Sequence, residues 1–339
     1  MEQITIGQLT IASGATSLVI AEVGINHNGD MATAKKMIVS AAENGADLIK
    51  LQSFQPEKFL ASSLPYYPQI EKLALGFDMQ RELFRFAQSI GVNLFSAAFD
   101  TESADFLDSL GMHAFKIASM DCNNVQLLRH TAKKQKPIFL ATGMADMEEV
   151  ELAVRTIRKE GNNRIVLMHC VSDYPAAPAG MNLKAIATLS EKFGLHCGLS
   201  DHSFGLHAAF AAASMGAVAI EKHFTPSREM AKEFPFSDHA ISIEPAELKE
   251  LSAFCKSLPA MSGDGIKRLS ENERENRDKF RRGIYAARDL EKGIVLSEGD
   301  CIALRPVHGI SVARWDEVIG KKVKKSMGKW EPVELSALE

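Results

Sequence analysis

The sequence predicts an α/β protein built as a closed (β/α)8 TIM barrel followed by a small second domain. Between residues 18 and 257 a short apolar run, a polar or glycine-containing loop and an amphipathic stretch recur as eight units. Strands alternating with helices imply a parallel sheet. Eight such units in about 240 residues fit a closed barrel better than an open doubly wound sheet. No Gly-x-Gly-x-x-Gly follows the first apolar run, which weakens the dinucleotide-binding alternative.

The first run, 18–23, contains Glu22 and leads through Asn26-His27-Asn28-Gly29-Asp30 into a helix expected over 31–44. The second, 48–51, is followed by the longest interruption of the pattern, 54–78, which holds Pro56, Pro65, Tyr66, Tyr67 and Pro68. A loop of that length at a barrel strand's end is expected to serve as a lid or substrate loop. The remaining strands are expected at 93–96, 114–117, 137–141, 164–169, 195–199 and 217–221. The remaining helices are expected at 79–90, 102–110, 125–134, 147–159, 182–193, 205–215 and 245–256. After residue 261 the texture changes. Residues 262–282 are densely charged and read as a solvated linker or short exposed helix, and 283–339 carry only short β-like runs and turns. The expected division is therefore a barrel domain over 1–261, a linker over 262–282 and a second domain over 283–339, which is too small to bury much core of its own and is expected to dock on something.

Composition narrows the function. Of the 339 residues 46% are hydrophobic and 24% charged, which excludes a disordered, collagen-like or coiled-coil chain. Thirty-nine basic against 43 acidic side chains leave a net charge of −4, so there is no basic surplus for nucleic acid or anionic lipid. The richest apolar stretch, 208–220, is short of the ~20 residues a membrane span needs. The first 16 residues lack a basic start and an apolar signal core, so secretion is not expected. Cys122, Cys170, Cys197, Cys255 and Cys301 are scattered with no Cys-x-x-Cys pair. They read as reduced thiols in a cytoplasmic protein.

In this fold, chemistry sits on the loops at the C-terminal ends of the strands, and most strands here end in reactive side chains. Lys50 and Gln52 are two apart, so both point into the barrel mouth. Lys116 lies in the fourth strand, before Ser119 and Asp121. The sixth runs into His169-Cys170-Val171-Ser172-Asp173-Tyr174, the seventh into Ser200-Asp201-His202-Ser203 and the eighth into Glu221-Lys222-His223. Pro175 and Pro178 suggest a rigid turn holding Tyr174. Taken singly, Lys50 or Lys116 would be a surface lysine and His202 a hydrogen-bonded structural histidine. Yet each lysine interrupts an apolar strand, and burying a lysine without a partner is costly. Two at one mouth call for an anion such as phosphate or carboxylate. His202 and His223, on adjacent strands, are placed to share a divalent metal, and imidazole favours a transition metal over magnesium or calcium. His169 and Cys170 read as supporting or core residues.

These motifs, in this order, resemble the sialic acid (N-acetylneuraminate) synthases and their relatives for legionaminic and pseudaminic acid, over nearly the whole chain. The resemblance rests on Ala21-Glu22-Val23-Gly24-Ile25-Asn26-His27-Asn28-Gly29-Asp30, Asp47-Leu48-Ile49-Lys50-Leu51-Gln52, Phe115-Lys116-Ile117-Ala118-Ser119, Ala141-Thr142-Gly143-Met144, Leu199-Ser200-Asp201-His202-Ser203, Glu221-Lys222-His223-Phe224 and Ser237-Asp238-His239. The tail, with Tyr285-Ala286-Ala287, Lys292-Gly293, Leu304-Arg305-Pro306 and Ile319-Gly320-Lys321, resembles the antifreeze-like (SAF) domain that ends these enzymes.

The resemblance implies condensation of phosphoenolpyruvate with the open aldehyde of an N-acetylmannosamine-type sugar, giving a nine-carbon 2-keto acid and phosphate by C–O cleavage. It implies phosphoenolpyruvate contacts at Lys50, Lys116, Ser119 and Ser200, with Ser172 a further candidate. It matches His202 and His223 to manganese ligands, with magnesium or cobalt as alternatives. It matches Gln52, Tyr174 and Asp238 to sugar contacts, and Glu22 and Asp121 to carboxylates near the reacting carbons. Arg305 matches a cap arginine that reaches into the partner's barrel in a domain-swapped homodimer. The chain departs from the usual pattern at Ala97, Ala98, Ala141, Asp121 and Phe236, and these changes bear on the sugar more than on phosphoenolpyruvate. The competing readings are a synthase for another amino sugar (legionaminate, pseudaminate or spore-coat polysaccharide), a two-histidine metal hydrolase, and a silent carbohydrate- or phosphate-binding protein.

Overall fold

The structure, a computed structural model, describes residues 1–339, which form two compact units, Met1–Gly263 and Asp264–Glu339. The first opens with an antiparallel hairpin, β1 (Ile4–Ile6) and β2 (Leu9–Ile11), whose isoleucines join the main core. The carbonyl of Glu2 accepts a hydrogen bond of 2.8 Å from His196 at the start of a barrel strand, so the hairpin lies at the N-terminal rim, away from the loops that carry the chemistry.

Eight parallel strands then close on themselves: β3 (Leu18–Gly24), β4 (Leu48–Ser53), β5 (Leu94–Ala98), β6 (Phe115–Ile117), β7 (Ile138–Ala141), β8 (Ile165–Cys170), β9 (His196–Asp201) and β10 (Ala219–His223), with β10 bonded back to β3. These strands are buried almost throughout, since one face lines the barrel and the other meets helices. The helices of the first unit are α1 (Met31–Glu43), α2 (Pro56–Phe59), α3 (Tyr67–Leu73), α4 (Phe77–Ser89), α5 (Thr101–Ser109), α6 (Val125–Ala132), α7 (Met147–Lys159), α8 (Ala185–Phe193), α9 (His207–Ser214) and α10 (Pro245–Ser262). The eight predicted strands and eight predicted helices are all present, with ends shifted by a few residues. Aspartates start several helices: Asp30 accepts from the Thr33 N–H, Asp100 from the Ser103 N–H, and Asp146 forms a reciprocal capping box with Glu149.

Three features go beyond the sequence expectations. The β1–β2 hairpin is one. Inside the long 54–78 loop, the short helices α2 and α3 are the second. The third is how the first strand's loop ties down the last. Asn26 donates to the Phe224 carbonyl (2.9 Å) and to Ser242 Oγ (3.0 Å), and accepts the Asp238 N–H (2.8 Å). Asp238 is thereby fixed by a residue more than 200 positions away in sequence. Gly29, with φ of +75°, packs so closely on the Lys72 carbonyl at the end of α3 that no side chain fits there.

The second unit holds α11 (Glu271–Phe280), with no buried residue, and the antiparallel pair β11 (Gly283–Ala286) and β12 (Cys301–Leu304). Ile284, Leu290, Leu296, Val318, Val323 and Val333 centre its own small core. No helix is long and apolar enough to cross a membrane. All five cysteines are buried and unpaired.

His27 and His239 flank the Asn26 tie. Burial holds both imidazoles down to about pKa 4. The unfolded chain therefore binds protons below about pH 6.5 that the folded chain refuses, and stability present above that pH is lost as pH falls toward 4. The loss from His27 alone is on the order of 3 kcal/mol. We expect His27→Gln to flatten the dependence of chemical-denaturation stability on pH between 6.5 and 4. Parallel pH slopes for variant and wild type would contradict this.

Candidate active site

A cavity of about 430 Å³ opens at the C-terminal ends of the strands, within the roughly 300–1,000 Å³ range of small-molecule sites. Alternation along the strands decides which side chains enter it. Lys50 and Gln52 of β4, Ser200 and His202 at the end of β9, and Glu221 and His223 of β10 line the cavity. Asp201 and Lys222, the intervening residues, do not. They form a buried ion pair of 2.9 Å in which Lys222 also donates to the Ser203 carbonyl (2.7 Å) and Asp201 accepts the Ser203 N–H. That pair fixes the turn carrying His202 to the strand carrying His223.

At the base of the cavity four buried charges meet. Glu221 Oε1 accepts from Lys116 (3.0 Å), Lys50 (3.2 Å) and Ser200 Oγ (2.9 Å). Glu22 Oε1 accepts from Lys50 (3.1 Å) and Gln52 Nε2 (2.9 Å). The anion that two lysines at one mouth called for is thus supplied in part by the chain itself: closure of the barrel brings two carboxylates to them, and an anionic ligand would share the lysines rather than supply their only countercharge. Burial, opposed by Lys50 and reinforced by Glu221, pushes Glu22 up to about 7. Against the same burial penalty, Lys116 and Lys50 hold Glu221 well below the usual carboxylate range. Burial pulls Lys116 down, and Glu221 offsets only part of that. Glu22 is thus the carboxylate able to exchange a proton near neutrality, and its Oε2 is buried with no hydrogen-bond partner.

His202 and His223 face each other with ring centres 5.4 Å apart. The Val171 carbonyl accepts from His202 Nδ1 at 2.8 Å, which leaves Nε2 with its lone pair. Burial keeps His223 neutral, holding it well below the usual imidazole range. Its Nδ1 is buried without a hydrogen-bond partner, 3.6 Å from Asp238 Oδ2. Burial opposes the charge on His202 too, but the Cys170 thiol and the Val171 carbonyl more than offset it and shift that imidazole upward, so a cation held by the two ring nitrogens would have to displace a proton there. No cluster of three His, Cys, Asp or Glu side chains forms, so a cation held here would keep positions open for ligand oxygens and water. Tyr174 stacks on His202 at 4.1 Å between ring centres.

Ser119 and Ser172 line the same cavity on either side of Gly143. Ser119 Oγ accepts the Gly143 N–H at 3.1 Å. A methyl group at Gly143 would collide with Ser172 Oγ and come within 2.7 Å of Ser119 Oγ, so a side chain there would turn both hydroxyls out of their present positions.

Of the thirteen residues singled out from the sequence, eleven line the cavity: Glu22, Lys50, Gln52, Lys116, Ser119, Ser172, Tyr174, Ser200, His202, His223 and Asp238. Asp121 does not. Its carboxylate accepts from Asn124 Nδ2 (2.9 Å) in the turn before α6. Held by that turn, its carboxylate stands outside the cavity lining. Arg305 belongs to the second unit, where its guanidinium lies 5.6 Å from the Phe280 ring centre. Glu221 is a site residue that the sequence reasoning missed. Its signal lay in the sequence, because Glu221 and His223 are two apart and two buried lysines demand negative charge nearby.

Buried charges beneath paired imidazoles at the C-terminal rim of a (β/α)8 barrel have the form of an enzyme active site. Comparison with known proteins narrows it. Residues 37–267 match the model of the NeuB family and residues 281–339 that of the SAF domain. The N,N'-diacetyllegionaminic acid synthase of Campylobacter jejuni is 39% identical over 326 residues, covering 91% of this chain and 96% of that protein. The synthase of the same name from Legionella pneumophila is 36% identical, covering 95% and 96%. The crystal structure of N-acetylneuraminic acid synthetase from Leptospira borgpetersenii, in complex with citrate, matches with a TM-score of 0.76 at 32% identity, covering 81% of this chain and 95% of that one. The chain belongs to the NeuB family, and it is an enzyme of the sialic, legionaminic and pseudaminic acid synthase type.

Removing Glu221 leaves Lys116 without a carboxylate. We expect Glu221→Gln to cost about 3–5 kcal/mol in chemical denaturation, and Glu22→Gln distinctly less, since Glu22 already carries a proton much of the time. Equal costs for the two would contradict the central place given to Glu221.

Proposed function

We propose that this enzyme condenses phosphoenolpyruvate with the open aldehyde of N-acetylmannosamine or a related amino sugar, in the cytoplasm, to form a nine-carbon 2-keto acid and phosphate. The observation that carries this reading is the cationic floor: Lys50 and Lys116 buried beside the hydroxyls of Ser119, Ser172 and Ser200. A small trianion suits it, because charge-assisted hydrogen bonds strengthen where water is excluded. The names of the two legionaminic acid synthases and of the N-acetylneuraminic acid synthetase support the product class.

The balance of atoms assigns work to the remaining groups. Carbon 3 of phosphoenolpyruvate bonds to the aldehyde carbon, and carbon 2, left electron-poor, takes the oxygen of a water molecule. The C–O bond to phosphate then breaks. One proton of that water ends on the new hydroxyl and the other on phosphate. Glu22, titrating near neutrality with a free oxygen in the cavity, holds and delivers the proton at the aldehyde oxygen. Lys50 and Lys116 fix the carboxylate and phosphate, while Ser200 and Ser119 orient them. Gln52, Tyr174 and Asp238 position the sugar. His202 and His223 would hold a divalent cation, manganese in first place and magnesium or cobalt as alternatives, which supplies Lewis acidity toward the aldehyde oxygen when bound. Arg305, exposed on the second unit, acts on the acceptor in the barrel of a partner in a domain-swapped homodimer.

Mass spectrometry of reactions containing phosphoenolpyruvate, Mn²⁺ and a panel of 2-acetamido and 2,4-diacetamido hexoses tests the reaction. We expect a condensed 2-keto acid with at least one sugar, phosphate release only when both substrates are present, and retention in phosphate of ¹⁸O placed in the bridging position. Glu22→Gln should lower kcat on the order of 10²- to 10⁴-fold, and His223→Ala should abolish product. Phosphate release from phosphoenolpyruvate alone would point instead to a hydrolase. For the swapped dimer, mixing Arg305→Ala with Lys50→Ala chains should restore part of the activity; verified mixed dimers without recovery would exclude action in trans.

A further inference from the structure

We infer that the opposite, N-terminal end of the barrel carries a separate anion site, and that it takes a phosphate ester bearing free hydroxyl groups, either a sugar phosphate or a nucleotide. Arg155, Arg158 and Arg164 hold the phosphate, and His196 takes a hydroxyl. The inference does not depend on the condensation proposed above.

Two concavities at that end share Arg158 as a lining residue. Their volumes are about 390 and 510 Å³, each within the roughly 300–1,000 Å³ of small-molecule sites. The first lies between the start of the chain and the segments that enter β8 and β9, and Arg158, Asn163, Arg164 and His196 line it. The second lies between α7 and α8, where Arg155, Arg158, Lys159 and Lys192 stand over Val154 and Phe193. Neither belongs to the active-site cavity. Ile165, at the start of β8, lines the first concavity, and Cys170, at the end of the same strand, lines the active site. At the rise of a strand the two are roughly 16 Å apart.

The charge at this end runs against that of the whole chain, which is −4. Arg155, Lys159 and Arg164 enter no ion pair, and the acidic side chains beside them in α7 are already engaged. Glu151 pairs with Lys192 at 3.2 Å, and Glu160, just after the helix, pairs with Arg129 at 3.3 Å. Glu2 is the one carboxylate that lines the first concavity. Arg158 donates to the Phe193 carbonyl at the end of α8 (2.9 Å), as cations near helix C-termini commonly do. Cations gathered without counter-ions repel one another, and an anion among them removes that repulsion. Guanidinium groups favour phosphate in particular, because their planar N–H donors meet its oxygens in pairs.

His196 adds an independent observation. It is buried at the start of β9, where its Nε2 donates to the Glu2 carbonyl at 2.8 Å. Its Nδ1 is enclosed and has no hydrogen-bond partner. With the ring proton on Nε2, Nδ1 is an acceptor. A buried acceptor is costly to leave unpaired, and a ligand hydroxyl supplies the donor it lacks. The dianion of a simple phosphate ester has no such donor. Anion and hydroxyl together therefore define the ligand, and phosphoenolpyruvate, an ester with no hydroxyl, lacks half of what the site reads.

Calorimetric titration of ribose 5-phosphate, adenosine monophosphate and methyl phosphate into the full chain at low ionic strength tests the site. We expect ribose 5-phosphate to bind at a one-to-one ratio and methyl phosphate, which has no hydroxyl, about 10-fold more weakly or worse. Adenosine monophosphate binding more tightly than ribose 5-phosphate would seat a base on Val154 and Phe193 and make this a nucleotide site. No gain from the base would make it a sugar phosphate site. Arg155 and Arg164 are exposed, so the double variant Arg155→Ala, Arg164→Ala should fold. It should lose about 10- to 100-fold in affinity for ribose 5-phosphate, with kcat/KM for phosphoenolpyruvate unchanged. Lys116→Met, in the active site, should leave that affinity as it is. Loss of binding in Lys116→Met with retention in the double variant would put the phosphate in the barrel mouth and overturn the inference. Equal affinities for ribose 5-phosphate and methyl phosphate, or no binding of any of the three, would also overturn it.

Discussion

Two ammonium groups cannot rest at the bottom of an apolar barrel unless negative charge rests with them. Here the balance is struck by Glu221, which serves both lysines through one oxygen, and by Glu22, which serves Lys50 alone. The partners come from β3, β4, β6 and β10, so the balance exists only once the barrel has closed. Paired charges in this setting add little net stability, because desolvation consumes most of the attraction. What they provide is a preorganised, charged floor that an incoming anion can use without waiting for side chains to gather.

The groups above the floor are held by contacts that do not themselves enter the cavity. The outward-facing Asp201–Lys222 pair locks the two imidazole-bearing strand ends together. Asn26 binds the loop after β3 to the loop bearing Asp238. Gly29 lets that same loop pack against the end of α3. A shift in any of these would be felt at the histidines, at Asp238 or at the end of α3, although none of them lines the cavity.

Much of this was legible in the sequence, and what was not has physical causes. The barrel strands are continuous apolar runs because both faces are covered, and the long helices are regular enough for their period to stand out. The reactive residues sit at predictable ends of those strands. The helices α2 and α3, at four and seven residues, are too short for periodicity to reveal. The hairpin did carry a signal, since Ile4, Ile6, Leu9 and Ile11 alternate with polar residues around Gly7, whose φ is +58°. Asp121 looked reactive from its place after Lys116 and Ser119, but a 3-10 turn redirects it toward Asn124. Glu221 shares the inward face of its strand with His223, two residues on, so its entry into the cavity was legible, but its pairing with Lys50 and Lys116 depends on which strands barrel closure brings together.

The most direct measurement is a calorimetric titration of phosphoenolpyruvate, without sugar, into wild-type protein and into Lys116→Met protein shown by circular dichroism to be folded. If the buried lysines form the anion floor, the wild type binds at a one-to-one ratio and the variant loses on the order of 100-fold in affinity, a charge-assisted contact being worth about 1.5–3 kcal/mol. Undiminished affinity in Lys116→Met would contradict it.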